Sequence, residues 1–275
     1  MSSSNESIGA APNIPDLGQN VQMPLQRFLS DYRESSVAVV SVFVVVSIAI
    51  IAIFAPLLAP TDPYDLAFVT VADKTLAPGV VMSSGQTAYL GTDGSGRDLL
   101  SGIFYGLRIS LGVGIGSGVI ALTIGVVVGL IAAYFGGRTD SLIMRLVDIQ
   151  LSFPAILIAL VLLVTLGKGV DKTLIALIVV QWAYYARTVR GSALVERGKE
   201  YIESAHCLAL SKRRILMNHL FPNVVAPIIV VGTMQTAHAI ALEATLSFLG
   251  LGMEQTEPSL GSLIANGFDY IHSGH

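Results

Sequence analysis

The sequence predicts an all-α membrane protein that crosses a bilayer several times, and three observations predict it. Apolar residues make up 53% of the chain and charged residues only 13%, where soluble domains carry roughly 25% charge. The mean hydropathy is +0.69. The charges are also segregated, with long windows that carry none and short windows that carry many. A chain whose solvent is lipid looks like this. The net charge of -3 argues against a nucleic-acid partner, and the single cysteine, Cys207, excludes an internal disulfide and a cysteine-based metal cluster.

Residues 1–23 are rich in Ser, Asn, Gly and Pro and lack the basic start of a secretory signal, so a disordered tail is expected there. Residues 24–36 mix Leu25, Phe28, Leu29 and Tyr32 with Arg27, Asp31 and Arg33. That pattern fits a short amphipathic helix lying on the membrane surface. An uncharged run of Val, Ile and Ala over 37–59 is long enough for a first span, ended by Pro56 and Pro60. Residues 60–105 return to polar, loop-like composition. Further spans are expected over 107–134, 146–166 with a kink at Pro154, 173–185 and 224–249. The stretch 254–275 has no long apolar run. The second span carries three GxxxG pairs, Gly112/Gly116, Gly114/Gly118 and Gly125/Gly129. Small residues at this spacing let helix backbones approach closely, either at an interface lining a moving pathway or in ordinary bundle packing.

Basic residues set the orientation. With the N-terminus inside, inside segments hold Arg27, Arg33, Arg138, Arg145, Arg187, Arg190, Arg197, Lys199, Lys212, Arg213 and Arg214, and outside segments hold Lys74, Arg97, Arg108, Lys168 and Lys172. The eleven against five place residues 191–223 in the cytoplasm and 60–105 outside. The inside segment reads GSALVERGKEYIESAHCLALSKRRILMNHLFPN. Tyr201, Ala205 and Leu208 recur at helical spacing, and Ile215, Leu216 and Leu220 give a second piece an apolar side. Ala209-Leu210-Ser211 suits a turn between them, and Phe221-Pro222-Asn223 is expected to stop the helix before the last span. Such a segment either offers a knob to a cytoplasmic motor or merely covers the end of the bundle.

No phosphate-cradling GxxxxGK[ST] loop is present, since Gly167-Lys168-Gly169 lacks both the upstream glycine and the Ser/Thr. ATP hydrolysis is therefore expected on another chain. No acidic or cysteine residues cluster around His272 and His275, and no metal site is expected. Glu243 lies inside an apolar span, where a carboxylate costs about 3 kcal/mol. A structural or gating pair is expected of it rather than substrate contact. Arg145 and Asp148 are expected either to pair locally or to anchor an interface. Asp93, Arg97 and Asp98 meet an external partner, gate the outer surface, or close a turn built on Gly91, Gly94 and Gly96, with Asp98 pairing Arg97.

Glu203-Ser204-Ala205, Ala209, Ile215, His219 and Phe221-Pro222-Asn223 together resemble the EAA signature of ABC importer permeases. Ser204, Ala209 and Phe221 stand where the family usually has Ala, Gly and Leu. Residues 90–98, LGTDGSGRD, with Thr92, Ser101, Gly106, Arg108 and Ser110-Leu111, resemble the signature of the dipeptide/oligopeptide/nickel type, C-type subunit. Tyr134-Phe135-Gly136-Gly137, Phe153-Pro154, LSFLGLG over 246–252 and Pro258-Ser259-Leu260-Gly261 also fit, and the likeness covers nearly all of 24–270.

The resemblance implies a type I ABC importer transmembrane domain in a bacterial or archaeal cytoplasmic membrane, with 106–275 as its core and 191–223 as its coupling loop. It implies a homologous B-type permease, two cytoplasmic ATPase subunits that hold ATP and Mg, and an extracytoplasmic solute-binding protein. It also implies a sixth span that the chain does not contain, and truncation is the expected reason. Di- or oligopeptides are the expected cargo, with nickel chelates, glutathione or other small solutes as alternatives. A secondary transporter driven by an ion gradient is the competing class, and it would need intramembrane ion sites and inverted repeats.

Overall fold

The computed structural model describes residues 32–65, 69–254 and 257–271. The chain divides into two compact units, Met1–Ser47 and Ile48–His275. In the first, residues 32–34 are helical and the Tyr32 hydroxyl donates to the Ala38 carbonyl at 2.8 Å. The rest of the expected surface helix, and the tail before it, lie outside the described residues.

Helix α1, Ser36–Ile53, is apolar all round, with Val37, Val40, Phe43 and Val45 exposed. Such a surface suits lipid. The helix stops short of the expected end at 59. Phe54 breaks it, and a single turn, Ala55–Leu58, follows with Pro56 in its opening positions, where a missing N–H costs nothing. The polar stretch that follows is not featureless. It holds a 3-10 turn, Val71–Asp73, and a two-stranded antiparallel hairpin of β1, Val80–Val81, and β2, Thr87–Ala88.

Helix α2 runs Leu99–Phe135 over 37 residues, beginning eight residues before the expected span. Its early start is dictated by Asp98, whose side chain accepts from the Ser101 N–H at 2.8 Å as an N-cap. Beyond Gly136 come α3, Gly137–Leu151, and α4, Ala155–Leu166, which meet at an angle of 85°. The kink expected at Pro154 is thus a full break. Pro154 has ψ of 129°, the extended value that cannot continue a helix. Helix α5, Val170–Arg197, is much longer than the expected 173–185, because its polar last turns stay helical. Among the described residues, three helices are long and apolar enough to cross a membrane, or four if the α3–α4 pair is one broken span. Helix α5 falls outside that group by composition, since it is the central post. It buries Thr173, Gln181 and Tyr185 against its neighbours rather than showing apolar residues to lipid.

After α6, Glu200–Cys207, the chain becomes helical again at Lys212 and stays so to Phe248. The Phe221-Pro222-Asn223 stop does not occur. Proline lacks an N–H and crowds the carbonyl one turn back, and here a π-turn, Ile215–Leu220, absorbs both effects. The Phe221 N–H reaches five residues back to the Leu216 carbonyl, and Pro222 then falls in the opening positions of α7, Phe221–Phe248. A last helix, α8, Leu260–Tyr270, starts at a capping box between Ser259 and Ser262. At 11 residues it is too short to span a bilayer.

Small residues set the helix spacing. A Cβ on Gly125 would lie 2.3 Å from the Tyr185 Cβ, and one on Gly129 would lie 2.6 Å from the Ala186 carbonyl oxygen. That pair is the seat of α5 on α2. Gly114 and Gly118 face α7 instead, at Ile240 and Thr236, while Gly112 faces open space. Two of the three GxxxG pairs are therefore interfaces, one for each neighbour.

Candidate functional site

The two ends of the bundle carry the residues singled out in the sequence. At one end, α6 lies across the ends of three long helices. Its Ile202 and Ala205 enter a cluster with Leu130 and Ala133 of α2, Val189 and Ala193 of α5, and Val224 and Ile228 of α7. Ile215 and Leu220 of the π-turn complete that cluster, each only 1% exposed. The sequence set Ile215 among the residues for a partner, but it is core. What α6 turns outward is Glu200, Glu203, Ser204, Cys207 and Leu208, which line a shallow open hollow. Leu208 is 73% exposed, a large apolar side chain at the tip. Composition alone did not single it out, because its helical spacing with Ala205 reads as one buried face. His219 and Pro222, grouped with the coupling-loop residues in the sequence, sit in the helical run that follows, His219 half-buried and Pro222 exposed, with the His219 carbonyl accepting from the Asn223 side-chain amide at 2.6 Å.

The turn after α6 explains Ala209. Its φ is +51°, in the left-handed region that favours glycine. The Leu210 N–H bonds to the Ala205 carbonyl at 3.2 Å and the Ala209 N–H to the His206 carbonyl at 2.9 Å. This is the Schellman pattern that closes a helix. Other ties hold α6 and the residues on either side of it against α2. The Tyr134 ring stacks on His206, Lys212 sits 5.6 Å from the centre of the Phe135 ring, and Arg197 donates to the Ala133 carbonyl at 2.8 Å. The Tyr201 hydroxyl donates to Glu196 at 2.7 Å, and burial with this acidic neighbour pushes its pKa up to about 12. Nearby, Arg190 grips Asp140 with two nitrogens, linking α5 to α3. Asp148 pairs with Arg187 and not with Arg145, since Arg145 projects from α3 into an exposed position.

At the other end the LGTDGSGRD segment is a knot of turns. Asp93 accepts from the Ser95 and Arg97 N–H groups at 2.8 and 2.9 Å and from the Arg97 Nε at 3.0 Å. Arg97 thus pairs with Asp93, whereas Asp98 is spent on capping α2 and is 1% exposed. Ser101 in turn accepts from the Thr61 N–H at 3.0 Å. The Thr92 hydroxyl accepts from the Leu76 N–H at 2.8 Å and donates to the Asp73 carbonyl. Hydrogen bonds from Thr70 and Ser83 hold the Asp73 carboxyl below the usual range. Gly91 and Gly96 have φ of +84° and +88°, and a Cβ on either would strike a carbonyl oxygen at about 2.5 Å, of Leu76 and Thr70 respectively. The geometry thus realises the turn. Arg108 is not part of it and lies exposed further along α2, beside Tyr64 and Tyr105.

Glu243 is 0% exposed. The hydroxyls of Ser110 in α2 and Ser247 in α7 donate to its two oxygens at 2.7 and 2.8 Å. It ties two helices together through hydroxyl groups.

The chain is similar to known proteins over most of its length. Residues 125–271 match the model of the binding-protein-dependent transport system inner membrane component, and residues 23–78 match the N-terminal TM domain of oligopeptide transport permease C. The Di/tripeptide transport system permease protein DppC of Pseudomonas aeruginosa is 35% identical over 249 residues, which is 90% of this chain and 81% of that one. The Dipeptide transport system permease protein DppC of Haemophilus influenzae is 35% identical over 92% of this chain and 84% of its own length. The Oligopeptide transport system permease protein OppC of Bacillus subtilis is 35% identical over 86% and 74%. The chain is thus a multi-pass membrane protein that belongs to the family of binding-protein-dependent transport system inner membrane components.

Proposed function

We propose that this chain is one permease subunit of an ATP-driven importer for di- or oligopeptides, working beside a homologous permease, two cytoplasmic ATPase subunits and an external binding protein. The relatives' peptide cargo and the family's name support the substrate and the machinery. One observation carries the mechanism. Helix α6 is rooted by Ile202 and Ala205 in a core shared by α2, α5 and α7, while Glu203, Ser204 and Leu208 face outward. A push on that outer face reaches three long helices at once.

The basic residues Arg197, Lys199, Lys212, Arg213 and Arg214 crowd this end, which supports a cytoplasmic α6 and a cytoplasmic N-terminus. ATP binding would draw the ATPases together, and their groove would carry α6 and its Leu208 knob with it. The bundle would then swing between inward-open and outward-open states. Glu243 and its two serines would hold α2 and α7 together during the swing. The knot of turns at 91–98, with α8 beside it, would form the floor on which the binding protein releases its cargo.

Proteoliposomes holding the complete complex test the reading. Labelled dipeptide is expected to accumulate when ATP reaches the ATPase side and not under a proton or sodium gradient alone. Accumulation that follows the gradient and ignores ATP would establish a secondary transporter instead.

A further inference from the structure

About halfway along α5 and in the second half of α7, beside α4, lies a cavity of about 430 Å³. That volume falls within the roughly 300–1,000 Å³ of small-ligand sites. Apolar side chains form most of its wall, but Gln181, Tyr184, Gln235 and His238 converge on it, and Ala155 and Ile156 stand at its edge. Among the described residues, no Asp, Glu, Lys or Arg lines it.

Three of the polar groups at the cavity, the opening N–H groups of α4, Gln181 and His238, have spare capacity of a definite kind. Ala155 opens α4 at the 85° break, so the first N–H groups of that helix have no acceptor within it and carry the positive end of its dipole. Gln181 is 3% exposed, and its amide nitrogen donates to the Ser117 hydroxyl at 3.3 Å. Its carbonyl oxygen is buried without a partner among the described residues. The Nδ1 of His238 faces the Gln235 carbonyl oxygen at 3.0 Å. That oxygen only accepts, so in the neutral ring Nδ1 donates and Nε2 is left as an acceptor. Polar side chains at this depth turn away from lipid. A broken backbone at membrane depth occurs where it is buried in protein or lines a water-filled cavity.

We propose that this cavity is a station on the translocation pathway that holds a passing peptide by its backbone amides. The N–H groups opening α4 donate to a peptide carbonyl, while Gln181 Oε1 and His238 Nε2 accept from peptide N–H groups. A site with donors and acceptors but no charge suits a cargo whose side chains vary and whose backbone does not. The inference rests on the peptide-import reading above and adds to it the residues that touch the cargo.

The test uses the complete importer and labelled trialanine. Gln181→Leu and His238→Leu are each expected to raise the KM of ATP-driven uptake roughly tenfold, the effect of losing one or two hydrogen bonds. Unstimulated ATP hydrolysis should persist, and His238→Gln should restore most of the affinity. A KM unchanged in both leucine variants would overturn the proposal. A second measurement is independent of transport rate. In an Ala241→Cys variant, the new thiol on the cavity wall should react with a charged, water-soluble thiol reagent, located apart from Cys207 by peptide mass mapping, and saturating trialanine should slow that reaction. Reaction only with a lipid-soluble maleimide would place the wall against lipid and sink the idea. If the Ala241→Cys complex admits the charged reagent yet the wild-type complex moves no peptide with ATP, the peptide-import reading and the amide contacts fall, while the aqueous cavity stands.

Discussion

Ala209 holds a left-handed φ of +51° where the helix-closing pattern favours glycine. An L-residue there costs about 1–2 kcal/mol, and glycine gives back about 0.5–1 kcal/mol in chain entropy. Ala209→Gly is therefore expected to stabilise the turn by about 0.5–1 kcal/mol, read as a higher midpoint of thermal unfolding in detergent. Asp73 makes a pH-dependent contribution. Its folded pKa lies below the unfolded value of about 3.9, so its stabilisation is complete above that value and is lost as pH falls through the folded pKa. Amide exchange across residues 69–98 should rise in that acid range, and Asp73→Asn should raise it already at neutral pH. Residue roles were partly legible in the sequence. The glycine-and-aspartate pattern at 91–98 announced a turn, but which aspartate pairs with Arg97 depends on the cap of α2, which is set by tertiary contact with Ser101 and Thr61.

Among the elements, α2 and α5 meet where Gly125 and Gly129 leave no room for a side chain. Gly125→Ala is expected to force the two helices apart and cost about 1–3 kcal/mol, seen as a lower unfolding temperature. Gly112→Ala, at a position facing open space, should be close to neutral. GxxxG spacing told which residues are small but not which neighbour each pair meets, because that depends on how α5 and α7 flank α2. Apolar run length located α1, α2 and α7 and missed the ends of the helices, since polar turns such as residues 186–197 of α5 remain helical outside the apolar zone. It also missed α8, whose 11 residues give too short an apolar run to notice. The proline stop failed because a π-turn accommodates Pro222 within a continuous helix.

At the scale of the whole molecule, the central claim is that α6 is the lever by which ATPase motion enters the bundle. The buried side chains of α6 belong to the fold, and only its outer face is available to a partner. Truncating Ile215, 1% exposed, would therefore report packing rather than docking. Leu208, 73% exposed, separates the two. Burying a leucine is worth about 1.5–3 kcal/mol, so losing it from an interface weakens docking by about 10- to 100-fold. The measurement that bears most directly on the claim is ATP-driven peptide uptake by the complete importer carrying Leu208→Asp, with the unfolding temperature of the complex measured alongside. Uptake at least about tenfold lower at a wild-type unfolding temperature is the expected result, whereas wild-type uptake from that variant would contradict the account.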